Sequence, residues 1–515
     1  MTDAPAYGFR MGFSSRSLGI AGRSRRPRQI LVALVATALV GAVAGLIASF
    51  VGSGSQTRLL VARRDVGGSD PLAFQAGDER DREEAAAQGL SHVLYVKSPG
   101  GVVAAARRVA RFRPLVDRAA AGSGVDPDLL EAIVFLESAG RPDVIAGNDP
   151  AAAAGLTQIL AETAQHFLGM HVDLAATRKL THKLAAAAAR GDAAAVARLR
   201  ARRRIVDERF DPAKALAATI RYLTIARERF GRDDLAVASY HMGIGNLEHV
   251  LRDYAGAAGP IRDVVSAFDL SWARVYFGAS PLEHASAWER LASFGDDSES
   301  YYWRVLAAKE IMRLYRDDRG KLEELASLQR AKASDEEVLH PPDDTERFAD
   351  PSRLEHAYGR GTLLRLPDRP GELHLRIQPR MGILADRLGV SAALYQGLRP
   401  EALALLLYLA DRVHALSAGD APLIVTSTVR DERYQRLLAP PNPEANQRYS
   451  LHTTGYSFDI LRRYGSPAQA AAFQFELDRL QAQNLIAWVR EPRTIHITVG
   501  DGAATLVPAM LTPAS

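Results

Sequence analysis

The chain of 515 residues contains no cysteine. That single absence excludes disulfides, thiolate zinc sites, iron–sulfur clusters and cysteine nucleophiles. It is compatible with an oxidising compartment without establishing one. The sequence has no Gly-rich phosphate-binding loop, no Gly-x-Ser-x-Gly elbow and no internal repeat, so phosphate-cradling and serine-elbow chemistries have no motif to rest on. It is also short of net charge. Its formal +4 comes from 64 Lys plus Arg against 60 Asp plus Glu. Residues 1–28 alone carry +5, from Arg10, Arg16, Arg23, Arg25, Arg26 and Arg28 against Asp3, which leaves about −1 for residues 29–515. A basic tail on a near-neutral body disfavours nucleic acid as a partner.

What is present is enough for a large globular protein. At roughly 150 residues per domain the length predicts two or three domains. An apolar fraction of 47% with 24% charged residues excludes wholesale disorder. Directly after the basic tail, Ile30 to Val51 is an apolar run with no charged residue. Its 22 residues, at about 1.5 Å each, are long enough to cross a bilayer. Arginines before the run and Gly52 to Ser55 after it predict a single-pass anchor in the cytoplasmic membrane. The N-terminus is then inside and the body on the extracytoplasmic (periplasmic) side. A cleaved signal peptide is the alternative, against which stands the length of the run.

The expected organisation is multidomain. Residues 1–29 form a basic cytoplasmic tail, 30–51 a transmembrane helix, and 52–100 a polar stalk. Residues 101–316 are Ala-rich and helical in pattern, with helix starts at Asp126-Pro127 and Asp211-Pro212. Within them, 176–209 reads as an inserted or elongated helix pair bearing an arginine cluster. Crowded charges and Pro341-Pro342 mark 317–359 as a linker. From 360 to 515, β-like runs (373–377, 423–428, 494–499) alternate with helical ones (400–415, 468–483), which predicts an α+β domain.

The segment from Val125 to Ser138 opens on a helix start, and Leu130, Ile133 and Val134 define its buried stripe. Glu137 falls at i+7 on that stripe. A carboxylate there is desolvated and its pKa rises, as a general acid near neutral pH requires. On periodicity alone, a helix-terminal glutamate that reaches solvent is the simpler reading. Neighbouring segments reverse that preference. Glu137-Ser138, then Gly155-Leu156-Thr157-Gln158, then Ala238-Ser239-Tyr240-His241-Met242-Gly243, resemble in order the three motifs of lysozyme-like lytic transglycosylases, the SLT family. Phe210-Asp211-Pro212 and the helical segment from Tyr301 to Ile311 fit the same resemblance, which covers about 110–315.

That resemblance implies a mainly-α, lysozyme-like fold that cleaves the MurNAc–GlcNAc bond of peptidoglycan with Glu137 as the single acid/base, leaving a 1,6-anhydro sugar. It implies that Ser138, Gln158, Tyr240 and His241 bind substrate, with Tyr240 supporting the glutamate and Gln158 holding the sugar. No cofactor is implied for this domain. Two departures stand out: Thr157 occupies the usual Met position, and His241 stands where the family has Asn. A histidine can charge below about pH 6.5, which bears on pH behaviour rather than on reaction class.

In the last domain, Tyr456, Phe458 and Ile460 alternate with Ser457 and Asp459, so Asp459 faces away from the aromatics. The same alternation in 494–499 sets His496 opposite Ile495, Ile497 and Val499. Two His and one carboxylate, with a fourth position left to water, make a catalytic zinc set. Taken alone, one His and one Asp seven residues apart are more simply structural. The fuller pattern of Ser427-Thr-Val-Arg430, Ser450-x-His452-x-x-Gly455-x-x-x-Asp459 and a late His496 resembles zinc D-Ala-D-Ala carboxypeptidases and related murein metallopeptidases over about 360–505. The resemblance implies an α+β zinc-peptidase-like fold in which His452, Asp459 and His496 hold Zn²⁺ and Arg430 contacts substrate. The family's base, a Glu three residues before the last His, is replaced here by Arg493. Glu491 is the candidate base, on condition that a bulge re-aims it.

Both resemblances point to one polymer, the first to its glycan and the second to its stem peptide. The expectation is a membrane-anchored enzyme with two activities on peptidoglycan. The alternatives are a transglycosylase with a non-catalytic, zinc-stabilised peptide-binding module, and a non-enzymatic, murein-binding envelope assembly factor.

Overall fold

The structure is a computed structural model and describes residues 70–330, 334–438 and 449–511. The expected basic tail and membrane-spanning run lie outside the described residues. Among the described residues no helix is long and apolar enough to cross a membrane. The chain divides into two compact units.

In its described part, the first unit comprises 93–279 and 284–326 and is helical throughout. Helices Val102–Ala110 (α2), Arg113–Ala120 (α3) and Pro127–Ser138 (α4) pack together, and α4 also packs on Tyr301–Asp317 (α10). The start of α4 is the one its sequence announces: Asp126 accepts from the amide of Asp128, and Pro127 follows in the first turn. Leu130, Ile133 and Val134 are fully buried. The expected helix pair is Leu174–Ala189 (α5) and Ala193–Val206 (α6). Pro212–Phe230 (α7), Asp233–Met242 (α8) and Ile244–Ala255 (α9) complete the frame of the site. Helix α7 starts at an Asp211 cap with Pro212 behind it and ends on Gly231 in the left-handed conformation.

The second unit contains 70–92 and the described residues after 327. Its five-stranded sheet has the order β1 (Leu375–Ile377), β2 (Leu423–Ser427), β3 (Ser457–Leu461), β5 (Thr494–Val499), β4 (Ile486–Arg490). Strands β1 and β2 are parallel and the other pairs antiparallel. Helices Pro400–Ser417 (α13) and Pro467–Ala482 (α14) pack together, and Leu405, Leu406, Leu409, Phe473 and Leu477 join Phe458, Ile460 and Ile497 in one apolar core. The predicted strands and helices of this region are observed with ends shifted by one or two residues.

Two expectations are corrected. The described part of the stalk, 70–100, is folded: helix Glu79–Gly89 (α1) packs on α14 within the second unit. A side chain at Gly89 would meet the Gln481 carbonyl oxygen at 1.9 Å, so the glycine permits this approach. The stretch 317–359 is likewise not a bare linker. It holds helices Arg319–Arg330, Glu336–Leu339 (α11) and Pro351–Gly359 (α12), and it buries Phe348 and Leu354 in the second unit. Most of its charges line exposed faces, with Glu336 and Glu337 the buried exceptions, which is why charge density alone concealed the sparse apolar anchors.

Candidate active site and candidate metal centre

Glu137 is the penultimate residue of α4. The helix stops because Ala139 and Gly140 both take positive φ (50° and 71°). A Cβ at Gly140 would lie 2.7 Å from the backbone of Arg108 and Val109, so this turn is pressed against α2. Glu137 is thereby held at the rim of a cavity of about 100 Å³ that Gln158, Tyr222, Tyr240 and His241 also line. Burial pushes its carboxyl up to about 8, against the lowering effect of one hydrogen bond. That bond comes from the Tyr301 hydroxyl, which donates to Oε1 at 2.7 Å.

Tyr301 opens α10 and is itself buried between two rings. Tyr240 stacks on it at 6.2 Å and His241 at 5.2 Å. The Tyr240 hydroxyl donates to the Thr157 carbonyl (2.9 Å) and lies 3.1 Å from the Thr219 hydroxyl. His241 is buried with Nδ1 2.9 Å from Ser298 Oγ, and burial lowers its pKa against the opposing charges of Asp296 and Asp297. Gln158 stands at φ 50°, a left-handed conformation uncommon outside glycine, and its Nε2 donates to the Gly155 (2.7 Å) and Val144 (3.2 Å) carbonyls. At Gly155 a Cβ would fall 1.8 Å from the Arg209 carbonyl oxygen, so glycine is required there. Arg209 forms a fully buried ion pair with Asp207 (2.8 Å) and donates to the carbonyls of Pro150, Ala152 and Ile159. The loop carrying Gln158 is thus pinned from below. A wider cavity of about 630 Å³ shares Thr163, Tyr222 and Gly243 with the first and adds Phe167, Ile225, Arg229 and Glu248.

In the second unit, Asp459 on β3 pairs in register with His496 on β5. His452 lies in the short turn Leu451–Thr454 before β3. All three are buried, and their ligand-capable atoms lie within 4.8 Å of one another. His496 Nδ1 is 2.7 Å and His452 Nε2 3.3 Å from the same Asp459 Oδ1. The outer ring nitrogens are also held: His452 Nδ1 is 2.8 Å from the Thr428 carbonyl oxygen, and His496 Nε2 is 2.9 Å from Glu336 Oε1. Glu336 is buried, and the Ser334 and Thr498 hydroxyls both donate to it.

Charge balance differs across this cluster. Burial and the nearby Arg430 push His452 down to about 4. Burial opposes charge on His496 too, but Glu336 and Asp459 overcome it and raise His496 to about 10. Burial works against an ionised Asp459, yet His452 and His496 hold its carboxyl well below the usual range. Two imidazole nitrogens converge on one carboxylate oxygen, and each ring is fixed from behind by an acceptor. That donor set and its outer partners fit a divalent metal of the zinc type.

The transglycosylase SLT domain family model matches residues 114–188. The match spans Glu137, Ser138 and Gln158 and supports the lytic transglycosylase part of the resemblance. No curated protein matches the chain.

Within the SLT-like unit, the structure brings Glu137, Gln158, Tyr240 and His241 around one cavity. Ser138 is not among the residues lining it. The Ser138 side chain is buried, donates to the Val134 carbonyl (3.3 Å) and accepts from the Arg141 amide (3.3 Å), so it closes the helix end. The expected support of Glu137 by Tyr240 is also corrected. Tyr301 makes that bond, while Tyr240 fixes the Thr157 carbonyl and the face of Tyr301. Only the position of Tyr301 at the start of the helical segment 301–311 could have signalled it.

In the second unit, His452, Asp459 and His496 come together as expected, with Arg430 3.6 Å from Asp459 Oδ2 and bonded to Ser427 Oγ at 2.6 Å. Glu491 follows β4 and flanks the two-residue turn Pro492-Arg493. Its amide donates to the Thr494 carbonyl (3.0 Å), and its Oε2 accepts from the Thr494 hydroxyl (2.7 Å). The β4–β5 register is regular, so no bulge re-aims it. Glu491 reaches the face of His496 through ordinary alternation, since Val489 is the register partner of His496. Glu336 is the residue missed from sequence; it lies in the stretch expected to be a linker.

Proposed function

We propose that the protein is a peptidoglycan-cleaving enzyme whose first unit is a lytic transglycosylase with Glu137 as its acid/base. One observation carries this reading. A glutamate inside the segment matching the SLT domain has its carboxyl raised to about 8 in a cavity, with one neutral hydroxyl donor bound to it. Such a group is protonated at neutral pH, which suits it to donate a proton to the oxygen of a glycosidic bond. Once ionised, it takes the proton from the 6-hydroxyl of the MurNAc unit. O6 then bonds to C1 as the bond to the leaving sugar breaks, and a 1,6-anhydro end results. No second carboxylate is required, in contrast to two-carboxylate hydrolysis. The wider cavity, which shares Thr163, Tyr222 and Gly243 with the one that Glu137 lines, gives room for a sugar beside it.

The second unit is proposed as a zinc peptidase acting on the stem peptide. When bound, zinc supplies a polarised water for attack on a peptide carbonyl. His452, Asp459 and His496 would hold the metal. Arg430, beside Asp459, would orient substrate or the developing oxyanion, and Glu491 is the candidate proton acceptor. The membrane anchor at 30–51, which keeps both units on the extracytoplasmic side, belongs to the same proposal and rests on the charge asymmetry of its flanks.

Purified full-length protein, incubated with wall sacculi and followed by mass spectrometry of the fragments, tests both halves. Wild type yields 1,6-anhydro ends and shortened peptides. Glu137→Gln loses the anhydro ends, by about 10²–10⁴-fold in rate, and keeps the peptide cuts. His452→Ala does the reverse. Wild type that produces no anhydro ends refutes the first half, and a His452→Ala protein that cuts peptides like wild type refutes the second.

A further inference from the structure

The helical hairpin α5–α6 concentrates charge in a way its surroundings do not. Residues 174–206 contain nine Arg or Lys and one acid, Asp192, a formal +8. The flanking parts, 93–173 and 207–326, together carry −6. The hairpin's second helix packs along the first, yet Arg203 is the one side chain that it fully buries. Nine of its 14 residues are apolar, five of them alanine, so what sets it apart from its neighbours is the five arginines it carries. Its surface is therefore its distinguishing property.

Eight of the nine cations fall into two groups, and the ninth, Arg204, is half-buried. Arg178, Arg200 and Arg203 tie the base of the hairpin to Asp149 (3.1 Å) and Asp143 (3.0 and 2.9 Å). Those two acids lie in the loop that joins Glu137 to Gly155. The base therefore rests on the loop at the cleft edge. The other group is exposed. Arg190 stands at the C-terminal cap of α5, and Lys179 and Lys183 recur on one stripe of that helix, at i and i+4. Arg198 and Arg202 do so at i and i+4 on α6. Among the described residues none of these five has an ion-pair partner.

We propose that this hairpin docks a linear phosphodiester polymer and holds it beside the cleft. Cations one turn apart, about 6 Å along a helix, match anions repeated along an extended chain better than a single compact ligand. A bilayer surface fits less well. Helices that lie in an interface carry a stripe of Trp, Phe or Leu beside their cations. Here the exposed residues between the cations are mainly alanine, and Ile205 is the one large apolar side chain on the hairpin's surface. Binding to such a polymer is dominated by counterion release and falls steeply with salt.

The test uses full-length protein in neutral phosphatidylcholine nanodiscs, titrated with soluble poly(glycerol phosphate) over a series of salt concentrations. A quadruple variant, Lys179→Gln, Lys183→Gln, Arg198→Gln and Arg202→Gln, should weaken binding at low salt at least tenfold. The slope of log affinity against log salt should fall by about 3, at roughly 0.7 for each phosphate no longer neutralised. Glutamine keeps helix propensity, so circular dichroism should be unchanged. A control variant at exposed cations outside the hairpin, Arg313→Gln with Lys321→Gln, should bind like wild type. The proposal is overturned if the quadruple variant binds as wild type does, or if the control loses as much. It is also overturned if wild type prefers vesicles containing phosphatidylglycerol to the polymer. Because the readout is binding, a failure here is distinguishable from a failure of the Glu137 reading.

Discussion

The two candidate sites hold a carboxyl group by opposite means. Glu137 sits where burial is the dominant influence and a neutral phenol is its hydrogen-bond partner, so its carboxyl rises to about 8. Asp459 is as deeply set, yet two imidazoles and Arg430 surround it, and its carboxyl is pushed well below the ordinary range. Equal desolvation therefore gives a proton donor in one unit and a fixed anion in the other. What decides between them is the number of positive or donating groups within about 4 Å. A glycosidic oxygen needs the first kind of group, and a metal needs the second.

The comparison is broken most severely by removing the anion. Asp459→Asn keeps shape but withdraws the charge on which both histidines converge. Stoichiometric zinc, measured by elemental analysis after dialysis, should fall to background, and peptide cutting should fall with it. Glycan cleavage should stay within about twofold of wild type. Retained zinc in this variant would mean that Asp459 is not a ligand. A smaller effect is expected from Glu336→Gln, which removes only the partner behind His496. Loss of such an outer partner weakens a metal by about 10–100-fold, read by competition with a chromophoric chelator. The Co²⁺-substituted protein should keep the same coordination number in its visible spectrum. An unchanged affinity would assign Glu336 to packing.

How much of this was legible in sequence depended on whether a residue's role is local. Glu137 could be read because the helix period sets it on the buried stripe of α4 and the ordered motifs at 155–158 and 238–243 turned that placement into a site. Asp459 and His496 could be read because strand alternation sets their faces, and their register pairing then follows from adjacent strands. Glu336 and Tyr301 could not. Each reaches its partner across more than 150 positions of sequence (Glu336 to His496, Tyr301 to Glu137), and neither sits in a period that marks it. Ser138 was misread for the complementary reason. The resemblance assigned it to substrate, while its hydroxyl bonds back along the helix to the Val134 carbonyl. The folded segments at 70–100 and 317–359 were hidden because few of their residues are apolar, and contacts distant in sequence hold them.

The mildest perturbation, and the sharpest test of how the first carboxyl is held, is Tyr301→Phe. The phenol donates to Glu137, and its bond favours the charged form, so it lowers the pKa that burial raises. Removing the hydroxyl should therefore raise the pKa of Glu137 further. The sign for activity follows from the role as acid: the competent form exists below the pKa and is lost as pH rises through it. The alkaline limb of the kcat/KM profile for glycan cleavage, near pH 8 in wild type, should move to higher pH in the variant. The maximum should fall only about 3–10-fold, the scale of one neutral hydrogen bond, because the ring still packs between Tyr240 and His241. A limb that moves to lower pH would show that Tyr301 had been stabilising the protonated carboxyl. A limb that does not move would separate the activity from the ionisation of Glu137 altogether.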